Sequence, residues 1–394
     1  MDKLENHIIP YGKQNVTDDD INAVIGVLKS DFWTQGPKIA EFEKAFAEYI
    51  GARYSVAVSN GTAALHLSVL SLDIKRGDKV ITTPITFSAS ANCVRYCGGE
   101  VVYTDIDPVT YLLDTDKLEV LLKSSPKNTY KGIIPVNFAG RPCDMERIKS
   151  LCDEHGLWIV EDSCHSPGGF FYDSKGGKRN CGDGVLSDLS IFSFHPVKHI
   201  ACGEGGMITT NNKNLYLKLL ELRTHGITKD KNAFINSIEE SGGKSDYPNW
   251  YMEMQSLGFN YRLTDFQAAL GISQLKRASS GLEKRKKIAK TYFEKFKNKN
   301  YIIGQSGFLD GHAYHLYVIE VENRLELYKF LRKNNILAQI HYFPCHLMPY
   351  YKNLGWKYGD MPNSEKYYSN CISLPMYPEL NEHQSYVVDK IISF

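Results

Sequence analysis

Short apolar runs alternate with amphipathic stretches over the first two thirds of the chain. The runs are continuous and lie at residues 54–58, 79–82, 100–105, 132–137 and 157–161. Runs of this kind are typical of strands that are buried on both faces. Stretches between or before them, such as 17–28 and 39–50, repeat apolar residues at helical spacing. The pattern predicts an α/β fold with a largely parallel sheet between helical layers.

The pattern changes after residue 275, where a long charged stretch over residues 276–297 predicts a connecting helix. Further elements are predicted in order at 314–321 (strand), 324–334 (helix), 337–342 (strand) and 384–392 (helix). A chain of 394 residues is too long for one ordinary core. We therefore expect a large domain over residues 1–275 and a small C-terminal α+β domain over residues 276–394.

Composition narrows the classes of protein. The net charge of +1 gives no basic field for nucleic acid or an anionic membrane. No apolar run approaches the ~20 residues that cross a bilayer, and residues 1–6 carry no apolar signal core. The nine cysteines form no C-x-x-C pair, which favours a reducing cytoplasm. We expect no metal site, since Pro344 separates the best-spaced histidines, His341 and His346.

One lysine lies in an unusual place. A strand ending near Ser193 runs into a turn that contains Pro196 and Lys198. Pro196 forbids a regular helix there and stiffens the turn. A lysine on a rigid turn at a strand end can serve as the nucleophile for an aldehyde cofactor, because burial favours its neutral amine. The alternative is an ordinary surface lysine.

Other candidate residues follow predicted strands. A small-residue turn with Thr62 opens a helix, whose N-terminus could hold a phosphate or be an ordinary turn. Asp162 ends a strand, where it needs a polar partner or acts as a helix cap. Phe87 ends the loop after another strand. Binding residues of parallel sheets gather beyond the strand C-termini, so these residues should meet Lys198 at one edge.

Six segments, in this order, resemble the DegT/DnrJ/EryC1/StrS family of sugar-nucleotide aminotransferases. They are Gly-Thr-Ala-Ala-Leu at 61–65, Pro-Ile-Thr-Phe-Ser-Ala-Ser at 84–90, Glu-Asp-Ser-Cys-His at 161–165, Phe-Ser-Phe-His-Pro-Val-Lys at 192–198, Glu-Gly-Gly-Met at 204–207 and Gly-Phe-Asn-Tyr-Arg-Leu at 258–263. The resemblance runs from about Ile9 to the C-terminus. It implies a fold type I enzyme that depends on pyridoxal 5'-phosphate, with a mostly parallel seven-stranded sheet and a small C-terminal α+β domain.

The resemblance also implies roles at the cofactor. Lys198 would bond to the cofactor aldehyde and move the proton, and Asp162 would pair with the pyridinium nitrogen. Phe87 would stack on the ring and His165 would lie beside it. The remaining cofactor contacts implied are Gly61, Thr62, Ala63, Ser193 and, from the other subunit, Asn260. A homodimer with shared active sites follows from the role of Asn260.

For the substrate, the resemblance implies transfer from L-glutamate to C4 of a UDP-linked 4-keto-6-deoxy-N-acetylhexosamine. Segments 161–165 and 192–198 look most like those of the pseudaminic-acid branch of the family. The implied sugar-nucleotide pocket comprises Tyr11, Asp31, Phe32, Trp33, Thr34, Gln339, Ile340, His341, Tyr342 and Glu365. Trp33 could stack on the uracil or merely pack.

Three alternatives remain open from the sequence. Another sugar-nucleotide 3- or 4-aminotransferase would carry the same segments. A sugar dehydratase of this fold would carry histidine at the position of Lys198. A non-catalytic sugar-nucleotide sensor would keep the pocket, but the presence of both Asp162 and Lys198 speaks against it.

Overall fold

The structure is a computed structural model that describes residues 7–305 and 307–394. The N-terminal hexapeptide, for which no signal core is predicted, lies outside these residues. The strands are β1 Ile9–Pro10, β2 Tyr54–Val58, β3 Lys79–Thr82, β4 Glu100–Tyr103, β5 Tyr130–Ile134, β6 Trp158–Asp162, β7 Phe170–Tyr172, β8 Lys178–Asn180, β9 Leu189–Ser193, β10 Gly206–Thr210, β11 Ile227–Thr228, β12 Glu253–Met254, β13 Ile302–Gln305, β14 Tyr317–Val321, β15 Ile336–Leu337 and β16 Cys371–Leu374. The helices are α1 Asp18–Leu28, α2 Pro37–Ile50, α3 Gly61–Ser71, α4 Ala89–Tyr96, α5 Thr115–Lys123, α6 Met145–His155, α7 Lys213–Leu222, α8 Asp265–Leu275, α9 Ala278–Phe296, α10 Arg324–Lys333, α11 Pro349–Lys352, α12 Pro362–Asn370 and α13 Gln384–Ile392.

A seven-stranded sheet forms the centre of the molecule, in the order β2-β10-β9-β6-β5-β3-β4. Its neighbours are parallel except that β10 is antiparallel to both β2 and β9. The prediction of a mostly parallel sheet between helices is confirmed. Gly206 at the start of β10 pairs with both Val58 and Ser193. This register brings the ends of β2 and β9 together with the turn that carries Lys198.

Helix α3 packs against the sheet and against α4 and α7. It is apolar on nearly all sides because it is enclosed, with Leu65 and Leu67 almost fully buried. Burying each of these side chains contributes roughly 1.5–3 kcal/mol. This packing fixes the helix N-terminus at the edge of the sheet. Of the helices that the structure describes, none is both long enough and apolar enough to span a bilayer.

The C-terminal part contains an antiparallel sheet in the order β13-β14-β16. Its core joins Tyr292 of α9, Tyr317 of β14, Leu327 of α10 and Val387 of α13. The N-terminal strand β1 pairs in parallel with β15 and so associates with this part of the chain. The domain boundary at residue 275 stays a prediction.

Three predicted elements differ from the structure in detail. The strand predicted over 314–321 begins only at Tyr317. Helix α1 forms, but its residues Ile21, Ile25 and Leu28 are exposed, while Asp20 is buried against Arg277. The strand predicted over 337–342 is shorter, because only its first residue lies in the β15 ladder. The segment beyond it turns to line a cavity at the edge of the large sheet.

Candidate active site

A cavity of about 620 Å³ opens at the edge of the sheet where the parallel strands end. It is lined both by the large sheet and by the segment after β15. Of the residues predicted for the site, those that line it are Tyr11, Gly61, Thr62, Phe87, Asp162, His165, Ser193, Lys198, Gln339, Ile340, His341 and Tyr342. The fold thus brings most of the predicted cofactor residues, and part of the predicted sugar pocket, to one place.

Lys198 lies on a tight turn between β9 and β10. Its backbone N–H donates to the carbonyl of His195 at 2.8 Å, which holds the turn closed. Burial lowers the pKa of Lys198, and the nearby Arg285 acts in the same direction, whereas Cys164 and Asp162 oppose it. A lowered pKa increases the fraction of neutral amine, which is the nucleophilic form.

Asp162 ends β6 and is 5% exposed. One carboxylate oxygen accepts a hydrogen bond from Ser90 Oγ at 2.7 Å, and the other accepts from the backbone N–H of Cys164 at 3.1 Å. Ser90 Oγ also lies 2.8 Å from the Thr86 hydroxyl. Since the proton of Ser90 points to Asp162, Thr86 donates to Ser90. This chain of hydroxyls fixes the carboxylate at the cavity wall.

The N-terminus of α3 forms a cradle for an anion. Asn60 caps the helix, and its side chain accepts from the N–H of Ala63 at 2.8 Å. Among the described residues, no protein group accepts a hydrogen bond from the N–H groups of Gly61 and Thr62. A Cβ on Gly61 would lie 3.0 Å from the Cβ of Ser193, so glycine allows the close approach. Free N–H groups at the start of a long helix suit a phosphate.

Three neutral histidines surround the lysine. His165 accepts from the backbone N–H of Ala139 at 3.2 Å through Nδ1, so its proton sits on Nε2 near the Tyr342 hydroxyl. His315 lies against His165 with ring centroids 4.2 Å apart. Burial, reinforced by Lys198, holds the pKa of His165 and of His315 well below the usual value and lowers the pKa of His341 to about 3.

Several predicted residues are not brought to this cavity. Ala63 lies just behind the cradle, with its N–H already taken by Asn60. Glu365 is buried elsewhere, where it accepts from the Gly359 N–H and lies 3.0 Å from His346 Nε2. The other residues outside the cavity are all exposed: Asp31, Phe32, Trp33, Thr34 and Asn260.

Sequence reasoning missed several residues of the site. Asn60, Ser90 and His315 all line the cavity and contact predicted residues. Ser90 belongs to one of the six resemblance segments and could have been found there. His315 lies just before β14 and inside the strand predicted over 314–321, and a strand pattern gives no sign of a contact with Lys198.

The residues present fit pyridoxal phosphate. The cradle suits its phosphate, Lys198 offers an amine, and the buried, hydroxyl-bound Asp162 offers a carboxylate for a ring nitrogen. Phe87 is exposed at the cavity mouth as a stacking surface. The two histidines considered as metal ligands have other partners: His341 bonds Ser373 and His346 bonds Glu365.

Comparison with known proteins agrees with this geometry. The model of the DegT/DnrJ/EryC1/StrS aminotransferase family matches residues 14–392. The chain belongs to this family. The spore coat polysaccharide biosynthesis protein SpsC of Bacillus subtilis is 36% identical, covering 100% of this chain and 97% of that protein. The UDP-4-amino-4,6-dideoxy-N-acetyl-beta-L-altrosamine transaminase of Campylobacter jejuni (serotype O:23/36) is 35% identical, covering 98% and 97%.

Solved structures of aminotransferases are also similar. Helicobacter pylori PseC, an aminotransferase of pseudaminic acid biosynthesis, has a TM-score of 0.86 and 30% identity, covering 98% of this chain and 99% of that one. The PLP form of the putative sugar aminotransferase Spr1654 from Streptococcus pneumoniae has a TM-score of 0.86 and 27% identity, covering 98% of both. The protein is therefore a sugar aminotransferase with the fold type I architecture, and its cofactor is pyridoxal phosphate.

Proposed function

We propose that this enzyme transfers an amino group from L-glutamate to C4 of a UDP-linked 4-keto-6-deoxy-N-acetylhexosamine. The product is UDP-4-amino-4,6-dideoxy-N-acetyl-β-L-altrosamine, a precursor in pseudaminic acid biosynthesis. One observation carries the proposal: Lys198 and Asp162 line one cavity in a chain similar along its length to a transaminase of that name.

Cofactor binding is proposed to use three groups of residues. The N–H groups of Gly61 and Thr62, with the Ser193 hydroxyl, hold the phosphate. Phe87 covers one side of the ring, and His165 lies beside it. Asp162, oriented by its hydrogen bond from Ser90, holds a proton on the ring nitrogen. When bound, pyridoxal phosphate supplies the aldehyde that carries the amino group and the ring that accepts electrons.

Lys198 is proposed to be the catalytic residue. Its amine would hold the cofactor through the aldehyde. In its free form it would move one proton between the amino-bearing carbon and the cofactor. Burial, which lowers the pKa of Lys198, keeps the amine available for both tasks. The intact lysine also argues against the dehydratase and sensor alternatives.

The sugar nucleotide is proposed to bind along the outer wall of the cavity. Tyr11 and the segment 339–342 line that wall, with the rings of Tyr11 and His341 5.2 Å apart. These residues belong to the N- and C-terminal parts of the chain, so the pocket lies between the large sheet and the small one. Their polar side chains can orient a keto-sugar above Lys198.

A homodimer with shared sites is proposed to complete this pocket. Thr34 forms a β-bridge with Thr264, four residues after Asn260, so residues 31–34 and Asn260 share one surface region. That region adjoins the exposed apolar side of α1. A second copy covering this surface would bury apolar residues and deliver Asn260 and Trp33 to the partner's cavity. Sedimentation of a monomer at working concentration would contradict this arrangement.

The substrate proposal is tested by product analysis. The purified enzyme is incubated with L-glutamate and the UDP-linked 4-keto-6-deoxy-N-acetylhexosamine, and the product is analysed by NMR. We expect a new amine on C4 in the altro configuration, and no amine with the Lys198→Ala variant. An amine on C3, a different configuration at C4, or an unchanged keto-sugar would refute the proposed substrate.

A second candidate is another sugar-nucleotide 3- or 4-aminotransferase of the family. The similarity to SpsC supports this second candidate, because that relative is named for the biosynthesis of a different product, spore coat polysaccharide. The same NMR experiment separates the two candidates.

We also propose that the enzyme works in the cytoplasm. Its nine cysteines are all free thiols, and a reducing compartment would keep them in that form.

A further inference from the structure

The amine of Lys198 has one hydrogen-bonding partner within the described chain, the imidazole of His315. The distance from Nζ to Nε2 is 3.4 Å, at the long end for a hydrogen bond. Asp162 makes no hydrogen bond to this amine among the described residues, and its two oxygens accept from Ser90 and from the backbone N–H of Cys164. The function proposed above gives no task to this histidine.

The imidazole of His315 is held firmly from several sides. Its ring lies against that of His165 at 4.2 Å. The buried guanidinium of Arg285, 2% exposed, donates to the carbonyls of Tyr314 and His315 at 3.2 and 3.4 Å. The N–H of Leu316 donates to the segment after β5 at 3.1 Å. The surroundings therefore fix where Nε2 points.

The backbone just before His315 is strained. Tyr314 has a φ of +46°, a conformation that is unfavourable for a bulky residue. Such outliers persist where surrounding contacts hold them, and they cluster at functional sites. Here the strained residue aims the next side chain at Lys198. In addition, His315 Nδ1 is buried without a hydrogen-bonding partner in the part of the chain described, so no protein contact fixes its tautomer.

A neutral imidazole suits an amine that changes its charge. It can accept a hydrogen bond from an ammonium group and donate one to a neutral amine, depending on its tautomer. Burial and the cationic Lys198 hold the pKa of His315 well below its usual range, so it stays neutral at working pH. A carboxylate in this position would instead trap the lysine as a cation.

We propose that His315 is the positioning residue for the free amine of Lys198. It holds Nζ in one orientation whenever the lysine is not bonded to the cofactor, with Nε2 accepting from an N–H that both the charged and the neutral amine carry. No proton needs to leave the lysine for the imidazole in this role. The proposal rests on the proposed role of Lys198.

The first test measures the lysine itself. Enzyme reconstituted with pyridoxamine phosphate, in which Lys198 is free, is pulsed with acetic anhydride at a series of pH values, and acetylation of Lys198 is read by mass spectrometry. The hydrogen bond favours the ammonium form more strongly, because it is charge-assisted. In His315→Phe we therefore expect the midpoint of labelling to fall by roughly one pH unit. The other titratable and charged groups around the pair, unchanged in the variant, are Asp162, Cys164, His165, His199, His341 and Arg285.

The second test compares three variants by the rate at which glutamate bleaches the bound cofactor. His315→Phe keeps a ring against His165 but loses both nitrogens, and we expect a loss on the order of tenfold to a hundredfold from misplacement of the amine. His315→Gln keeps a group that can donate and accept, and we expect it to recover most of the rate. His155→Phe, at the C-terminal end of α6 and outside the cavity, is the control and should keep both rate and labelling midpoint.

The outcomes separate the possibilities. A lower labelling midpoint together with slower bleaching in His315→Phe supports the proposal. In that case a larger fraction of Lys198 is neutral, yet the reaction with glutamate is slower. Equal rates in wild type and His315→Phe would overturn it, and so would a His315→Gln variant as slow as the phenylalanine. If the wild type itself carries no cofactor on Lys198, its own spectrum reveals the failure of the proposed function before any His315 variant is compared.

Discussion

Replacing Ser90 by alanine tests how the buried carboxylate of Asp162 is held. The Ser90 hydroxyl donates to Asp162 at 2.7 Å, and the carboxylate also bonds Cys164, through its backbone N–H at 3.1 Å and through its thiol. A hydrogen bond to a charged group is worth about 1.5–3 kcal/mol. If that energy orients Asp162 toward the cofactor ring, its loss lowers the rate of the glutamate half-reaction about 10- to 150-fold.

The matched control is Ser68→Ala. Ser68 is also fully buried, but its hydroxyl donates to the neutral carbonyl of Ala64 at 2.7 Å, away from the cavity. Its loss should cost about 0.5–1.5 kcal/mol of stability and leave the site intact. Cofactor affinity, bleaching rate with glutamate and melting temperature are measured for both variants. If Ser90→Ala keeps wild-type affinity and rate, the proposed role of this hydrogen bond is wrong.

Three further changes have defined outcomes. Burial raises the pKa of Asp20, but hydrogen bonds that include those from Arg277 outweigh it and hold the pKa at about 2, below the ordinary 3.8. The ionised Asp20 carboxylate, with all its hydrogen bonds, should therefore contribute about 2 kcal/mol above pH ~4 and lose it as pH falls through 2. Urea unfolding of Asp20→Asn should reveal that deficit at pH 7 and a smaller one at pH 3, whereas an equal deficit at both would contradict the linkage. Lys198→Ala should lose multiple turnover. After borohydride reduction we expect mass spectrometry to find the cofactor adduct on Lys198 in the wild type and no adduct in the variant; an adduct at another lysine would refute the assignment. Asn260→Ala should weaken cofactor retention in a dimer, and unchanged affinity would count against its role across the interface.

The fold was largely predictable because its signals are local. Continuous apolar runs predicted the strands of the central sheet, and the residues following them met at one edge as parallel topology requires. Helix α1 illustrates the limit. Spacing predicted the helix but could not say that Ile21 and Ile25 face outward while Asp20 is buried, because that depends on the distant Arg277.

The site was predictable where a motif carried it and unpredictable where tertiary contacts built it. Lys198, Asp162 and Thr62 were recognised from short segments and do line one cavity. His315 contacts Lys198 from 117 residues away along the chain, after a strained Tyr314 at which the pattern predicts a strand. Glu365 was assigned by resemblance, yet its carboxylate is occupied by the backbone of Gly359 outside the cavity.

The most direct test of the account is a visible-absorption titration of the purified enzyme loaded with pyridoxal phosphate. We predict a yellow band that L-glutamate bleaches and that the UDP-linked 4-keto-6-deoxy-N-acetylhexosamine then restores. The two changes correspond to the two halves of the amino transfer. A protein that stays colourless after pyridoxal phosphate is added would contradict the proposed role of Lys198. A band that bleaches with glutamate but is not restored by this keto-sugar would contradict the proposed substrate.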